Sequence, residues 1–302
     1  MTTDSSTTLP TAPAATLRTI ALTVLAMLAF AANSLLCRLA LQQPVRIDPA
    51  SFGSVRLVSG ALMLALVLRL RAGGNGTQAA PATKPDWLAA AMLWTYVACF
   101  SFAYLTLTAG TGALILFGAV QLTMFSVGLY AGERFAPAAW GGLLLAVAGL
   151  VYLVSPGLAA PSPLGAALMA TAGIAWGVYS LRGRRVAATP LAATASNFLR
   201  AAPLALGLSL AFITGFHADA SGVVLAVASG AVTSGLGYVI WYAALTGLSA
   251  MRAATVQLSV PPIAALGGAL LLAETITPRL VLASIAILGG VALVLLSRSR
   301  RS

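Results

Sequence analysis

Ten stretches of about 20 mostly apolar residues follow one another along this chain, separated by short connections. They run over 17–40, 50–70, 86–108, 111–132, 137–155, 163–183, 190–213, 222–246, 252–273 and 278–297. A helix needs about 20 apolar residues to cross a bilayer, and lipid offers backbone N–H and C=O groups no partner outside the helix itself. The pattern predicts an all-α membrane protein of ten transmembrane helices. Only 8% of the residues are charged. A soluble domain carries about 25%, so this chain lacks the charges to make a wettable surface.

Turn-forming residues fall between the stretches: Gln42-Gln43-Pro44, Gly73-Gly74-Asn75-Gly76, Ser155-Pro156-Gly157, Thr189-Pro190 and Thr277-Pro278. The longest break, 71–85, reads as a flexible loop. Residues 1–16, rich in Thr, Ser, Pro and Ala, read as a disordered N-terminal tail, and 298–302 as a basic C-terminal tail. The first apolar stretch is too long for a signal peptide and reads as a retained helix. No connection is large enough for an extramembrane domain, which argues against a receptor or a tethered enzyme.

The net charge is +11. The basic residues sit at the ends of apolar stretches, so they report orientation rather than nucleic acid, and no nucleic-acid partner is expected. With the N-terminus in the cytoplasm, the inner side holds twelve: Arg18, Arg69, Arg71, Lys84, Arg134, Arg182, Arg184, Arg185, Arg252, Arg298, Arg300 and Arg301. The outer side holds three, Arg38, Arg46 and Arg279. Both termini are therefore expected inside, in a bacterial cytoplasmic (inner) membrane with lipid as the surrounding partner. The cysteines, Cys37 and Cys99, form no Cys-x-x-Cys motif, and His217 is the sole histidine. No metal, redox site or cofactor is predicted, and the thiols read as buried and inert.

The chain also repeats itself. Gly132-Glu133-Arg134-Phe135-Ala136-Pro137 after the fourth stretch matches Ala273-Glu274-Thr275-Ile276-Thr277-Pro278 after the ninth, at an offset of 141 residues. The same offset pairs Gly149 with Gly290 and Pro49 with Pro190, and a looser one of 146 pairs Arg38 with Arg184. Residues 17–156 and 157–297 thus read as two copies of a five-helix unit. Five is odd, so the second copy is inverted, an architecture of transporters whose site lies at mid-depth between the halves. In Glu-x-x-x-Pro the Pro opens the next helix, and the Glu is expected hydrated at the membrane edge, facing that helix's N-terminal dipole.

With these motifs in place, the chain resembles the EamA branch of the drug/metabolite transporter superfamily from about 17 to 297. Phe30-Ala31-Ala32-Asn33-Ser34 with Arg38, and Ile174-Ala175-Trp176-Gly177 with Arg184-Arg185, stand where that family has Trp-Gly-x-Asn and a basic residue. Arg56 falls at the family's usual Arg and Pro262 at its midhelix Pro. The departures are Phe30 for Trp, Gln121 for the other midhelix Pro, and Asn197 where Arg56 would repeat. The resemblance implies secondary transport, export or uptake, of amino acids or related small metabolites by alternating access. An exporter of hydrophobic drugs and a non-transporting membrane scaffold are the alternatives.

Candidate substrate-binding residues follow from the cost of polarity in lipid. Arg56 and Arg200 lie within spans, where a guanidinium either faces a cavity and could hold a carboxylate or bonds to backbone carbonyls. Asn33, Gln121, Asn197 and Gln257 are intramembrane amides, to be satisfied across helices or by a ligand. Tyr96, Phe100 and Tyr104, four apart, share one helix face. Tyr238, Trp241 and Tyr242 stand on the repeat-equivalent helix, and Trp176 and Tyr179 on the sixth. These aromatics either wall a pocket or pack structurally, whereas Trp87 and Trp140 read as interfacial belt residues. Pro261-Pro262 is expected to bend the ninth helix and free carbonyls. No nucleophile–base pair, paired carboxylates or metal-ligand cluster converges, so an enzyme is not expected. All six carboxylates, Asp4, Asp48, Asp86, Glu133, Asp219 and Glu274, lie in loops or at helix ends. Transport by facilitated diffusion or exchange is expected, without a titrating intramembrane acid. A homodimer is compatible with the sequence.

Overall fold

The computed structural model describes residues 12–72, 85–132, 135–157, 159–183, 190–248 and 250–298. Glu133, Arg134, Lys84, Arg184 and Arg185, most of the 71–85 connection and both extreme termini lie outside the described residues, and with them the expectations placed there.

Among the described residues the regular elements are all helices, without a strand. The helices are α1 (Ala12–Leu41), α2 (Pro49–Ala72), α3 (Trp87–Ala103), α4 (Ala109–Tyr130), α5 (Pro137–Val154), α6 (Pro163–Gly183) and α7 (Pro190–Ala211). They continue as α8 (Ala220–Leu245), α9 (Ala250–Gln257), α10 (Val260–Leu272) and α11 (Pro278–Arg298). Seven are long and apolar enough to cross a membrane: α1, α2, α4, α5, α6, α8 and α11. Three of the ten expected spans are not among these seven. The third stretch makes only a 17-residue helix, because the chain turns after Ala103 and Thr108 caps α4 by accepting the Thr111 N–H at 3.3 Å. The ninth is split at Leu258-Ser259, one turn ahead of Pro261 and Pro262. Proline rings clash with the preceding turn and supply no N–H, so the helix restarts with them in its first turn. The seventh, α7, carries Thr194, Ser196, Asn197 and Arg200 and is not among the seven.

α8 holds a feature that periodicity did not predict. Its middle, Ala228–Leu236, is wound as a π-helix. Such wide turns are rare, cluster at functional sites and re-aim side chains relative to an α-helix.

The helices pack in pairs. α5 lies along α11, α2 along α7, α3 against α6, and α1 against α8, while α4 meets α6 and α10 meets α1. Glycine lets α5 and α11 touch backbone to backbone: a Cβ on Gly290 would stand 2.4 Å from the Gly142 carbonyl oxygen. Gly230 does the same for α8 on α2, where a Cβ would meet the Arg56 carbonyl oxygen at 2.2 Å. Large apolar side chains such as Leu62, Leu270 and Leu282 face outward, as a lipid-facing surface requires.

Polar ties join the ends of the helices. Arg38 of α1 pairs with Glu274, just past α10, at 2.9 Å. Arg38 also donates to the Tyr104 carbonyl at 2.9 Å, and Glu274 takes the Ala109 N–H at the start of α4 at 2.8 Å. Glu274 therefore caps α4 instead of facing the dipole of α11. It is 10% exposed, which also corrects its expected hydration. The turn at Ala273 has φ +54, and Gly132, its partner at the 141-residue offset, has φ +82. Elsewhere Asp219 N–H bonds Arg46 O at 2.8 Å and Asp48 N–H bonds His217 O at 2.7 Å, while Arg279 donates to Ser155 O at 2.7 Å. Asp86 pairs with Arg182 at 2.8 Å.

Candidate functional site

Polar side chains in lipid must find one another, and here they converge on one place. Arg56 is 1% exposed, although it carries a full charge in a helix among apolar neighbours. Its Nε donates to Ser234 Oγ at 3.2 Å and its Nη2 to the Tyr96 hydroxyl at 3.0 Å. Its third nitrogen, Nη1, is buried without a hydrogen-bond partner. The guanidinium lies over the rings of Tyr96 and Phe100, 5.1 and 5.0 Å from their centroids. A four-residue spacing on α3 puts those two rings on one face, 5.3 Å apart.

Asn33 completes the network. Its amide nitrogen donates to the Tyr96 hydroxyl at 3.4 Å, and its carbonyl oxygen accepts from Ser229 at 2.7 Å and Thr233 at 3.2 Å. Ser229, Thr233 and Ser234 all come from the π-wound stretch of α8. In a regular α-helix Ser229 and Ser234, five residues apart, would point about 140° apart; the i→i+5 winding stacks them and gathers three hydroxyls on one buried face that meets α1 and α2.

This network borders a small cavity of ≈ 30 Å³. About 10–15 Å³ of such volume holds one water, so the space as it stands suits about two waters. α1 contributes Phe30, Asn33 and Ser34, α2 Arg56, α3 Tyr96 and Phe100, and α4 Leu116 and Phe117. From the later part of the chain come Trp176 on α6, Thr233, Ser234 and Tyr238 on α8, and Gln257 at the end of α9. The rings are in mutual contact: Trp176 lies 4.9 Å from Tyr96 and 5.4 Å from Tyr238, and Phe30 meets Tyr238 edge-on at 6.1 Å.

Of the residues singled out in the sequence, Asn33, Arg56, Tyr96, Phe100, Trp176, Tyr238 and Gln257 thus border one cavity. Gln257 donates to the Ala253 carbonyl of its own helix at 3.2 Å. Three candidates lie off the lining. Tyr179 is buried and stacks on Trp176 at 5.4 Å, one layer back. Gln121 is half-buried on α4. Arg200 bonds Ser196 on its own helix and sits 5.8 Å over the ring of Trp87, which is 62% exposed. Arg200 reaches outward along the helix, as long cationic side chains do. Trp241 lies edge-on to Phe30 at 5.8 Å, and Tyr242 shares a hydrogen bond with Thr194 at 2.9 Å. The hydroxyls of α8 were missed from the sequence. Their signal was there, in Ser229-Gly230 and Thr233-Ser234-Gly235 interrupting an apolar span, but the winding that gathers them was not.

The described helices thus form a membrane-type bundle around a buried, charged and aromatic cavity. The EamA-like transporter family matches residues 163–296. The uncharacterized protein PA1977 of Pseudomonas aeruginosa is 54% identical over 285 residues, covering 94% of this chain and 97% of that protein. A solved crystal structure at 21% identity superimposes with a TM-score of 0.66, covering 96% of this chain and 99% of its own, and shows the fold alone. The chain belongs to the EamA-like transporter family.

Proposed function

We propose that the protein is a secondary transporter that carries a small metabolite through this cavity by alternating access, with ten crossings arranged as two inverted five-helix halves. The observation that carries the reading is the cavity's composition: a buried guanidinium, amides and aromatic rings drawn from α1–α4 on one side and α6, α8 and α9 on the other. Several features support the inverted arrangement. The packing pairs map onto one another when α1 exchanges with α6, α2 with α7, α3 with α8 and α5 with α11. Gly132 and Ala273 share a positive φ at equivalent turns. Every polar tie between helix ends joins ends that ten alternating crossings put on the same face: Arg38 with Glu274, Arg46 with Asp219, Arg279 with Ser155, and Asp86 with Arg182. The twelve-to-three split of basic residues supports a bacterial inner-membrane location with both termini in the cytoplasm.

The proposed substrate contacts are Asn33, Arg56, Tyr96, Trp176, Tyr238 and Gln257. The cavity as it stands suits about two waters, so carrying a metabolite requires it to widen on loading. Among the described residues no carboxylate borders it, which favours facilitated diffusion or exchange over a proton relay within the site. The test is flux. Liposomes carrying the purified protein are loaded with a bacterial metabolite extract, and the retained solutes are followed by mass spectrometry. Protein-dependent loss of a subset of solutes is expected. Retention of every solute would overturn the transport reading and leave a scaffold.

A further inference from the structure

We propose that the cavity takes a small organic monoanion, with its carboxylate seated on Arg56; this rests on the transport reading above and names the class of substrate. Arg56 is a buried cation that pairs with no carboxylate among the described residues. The ion pairs among the described residues are Arg38–Glu274 and Asp86–Arg182, and none of those four side chains borders the cavity. Two of the guanidinium nitrogens are spent on neutral oxygens, and Nη1 is buried with no partner. A buried charge left unpaired is costly, and a carboxylate that arrives and pairs with it removes that cost. Guanidinium and carboxylate match geometrically through two parallel N–H···O bonds.

The neighbours have the same polarity. The Tyr96 hydroxyl accepts from both Arg56 Nη2 and Asn33 Nδ2, so its own hydrogen is left to donate. Ser234 accepts from Arg56 Nε, which leaves its hydrogen in the same position. The Asn33 carbonyl, the acceptor that could have met these donors, is occupied by Ser229 and Thr233. The network thus consumes its acceptors internally and presents N–H and O–H donors. A primary ammonium would meet a like charge and find only neutral acceptors, the Gln257 carbonyl and the Ser34 and Tyr238 hydroxyls. Tyr96 and Phe100 fix the plane of the guanidinium, while Trp176, Tyr238 and Phe30 offer apolar faces to the rest of the molecule.

The experiment uses the full-length chain in detergent micelles at fixed ionic strength. Thermal unfolding is followed with matched probes: butyrate against butylamine, and 3-phenylpropionate against 3-phenylpropylamine. At least one carboxylate is expected to raise Tm saturably, and neither amine to do so. Tyr96→Phe should weaken carboxylate binding about tenfold, the loss of one hydrogen bond to a charged group. Arg56→Gln should abolish it. Should Arg56→Gln fail to fold, Arg56→Lys with Tyr96→Phe carries the test, each with weakened binding. An amine that stabilises as well as its carboxylate, no stabilisation by either carboxylate, or full carboxylate binding by Arg56→Gln overturns the proposal. The outcomes are separable: metabolite flux without carboxylate binding defeats this inference alone, whereas no flux of any solute defeats the transport reading.

Discussion

Replacing Glu274 with Gln should weaken the bundle at a single identifiable point. The carboxylate has two oxygens and both are used, one on Arg38 at 2.9 Å and one on the N–H of Ala109 at 2.8 Å. Gln keeps the shape but has one acceptor oxygen, and its NH2 must then face a donor, either the guanidinium or the first turn of α4. The variant loses a hydrogen bond between charged groups, about 1.5–3 kcal/mol. It also loses a negative charge at a helix N-terminus, roughly 0.3–1 kcal/mol. The two partners are 10% and 16% exposed, too buried for the near-zero value of a surface pair and too wet for a fully buried one. About 2–4 kcal/mol is the expected sum. For a chain of this size that is a fall in Tm of roughly 5–10 °C. The assay is thermal unfolding in detergent of the wild type, Glu274→Gln, Arg38→Met and the double variant. The double variant should be less damaged than the sum of the singles by about 1–3 kcal/mol, because each single strands the other partner. Strict additivity, or a Glu274→Gln shift under about 1 °C, would refute the reasoning.

Other outcomes follow from close contacts and turns. Gly290→Val should abolish folded protein, since its Cβ would stand 2.4 Å from the Gly142 carbonyl oxygen; Gly289→Ala, with nothing within 4 Å, should be neutral or stabilising, and the yield of monodisperse protein reads both. Ala273→Gly should raise stability by about 1 kcal/mol by relieving a left-handed backbone at φ +54, seen as a higher Tm. The Ser221 hydroxyl, the Gly222 N–H and the Arg46 guanidinium hold the Asp219 carboxyl below the usual carboxylate range. A carboxyl with a folded value below its unfolded value of about 3.9 contributes stability above that pH and loses it as pH falls through the folded value. Hydrogen exchange should therefore show the pairing of residues 46–48 with 217–219 intact at neutral pH and loosened in acid below about pH 4, and unchanged protection there would contradict the assignment.

What the sequence disclosed and what it withheld have physical reasons. Hydrophobic stretches place helices because lipid demands them, and the stretches around α1, α2, α5, α6 and α11 were legible to within a few residues, apart from the early start of α1. Pro261-Pro262 announced a break in the ninth stretch. The short α3 was not legible, because the chain turns at Tyr104 and restarts at the Thr108 cap of α4 without a loss of hydrophobicity. Arg56 and Arg200 looked alike in sequence. Packing separates them: Arg56 faces α3 and α8 at a helix crossing, whereas Arg200 has Trp87 and the open side of α7 to reach along. Glu274 was read through its own turn, yet its partners lie 236 and 165 residues away in sequence, where no local pattern points.

The most direct test of the account is counterflow in liposomes, using a solute identified by the flux screen. Vesicles preloaded with unlabelled solute should accumulate the labelled form transiently above equilibrium when they hold the wild-type protein. Arg56→Gln, reconstituted at equal density and monodisperse, should show none. Arg200→Gln should retain accumulation, because that side chain lies off the cavity. Accumulation by Arg56→Gln at the wild-type rate would contradict the claim that this cavity is the path.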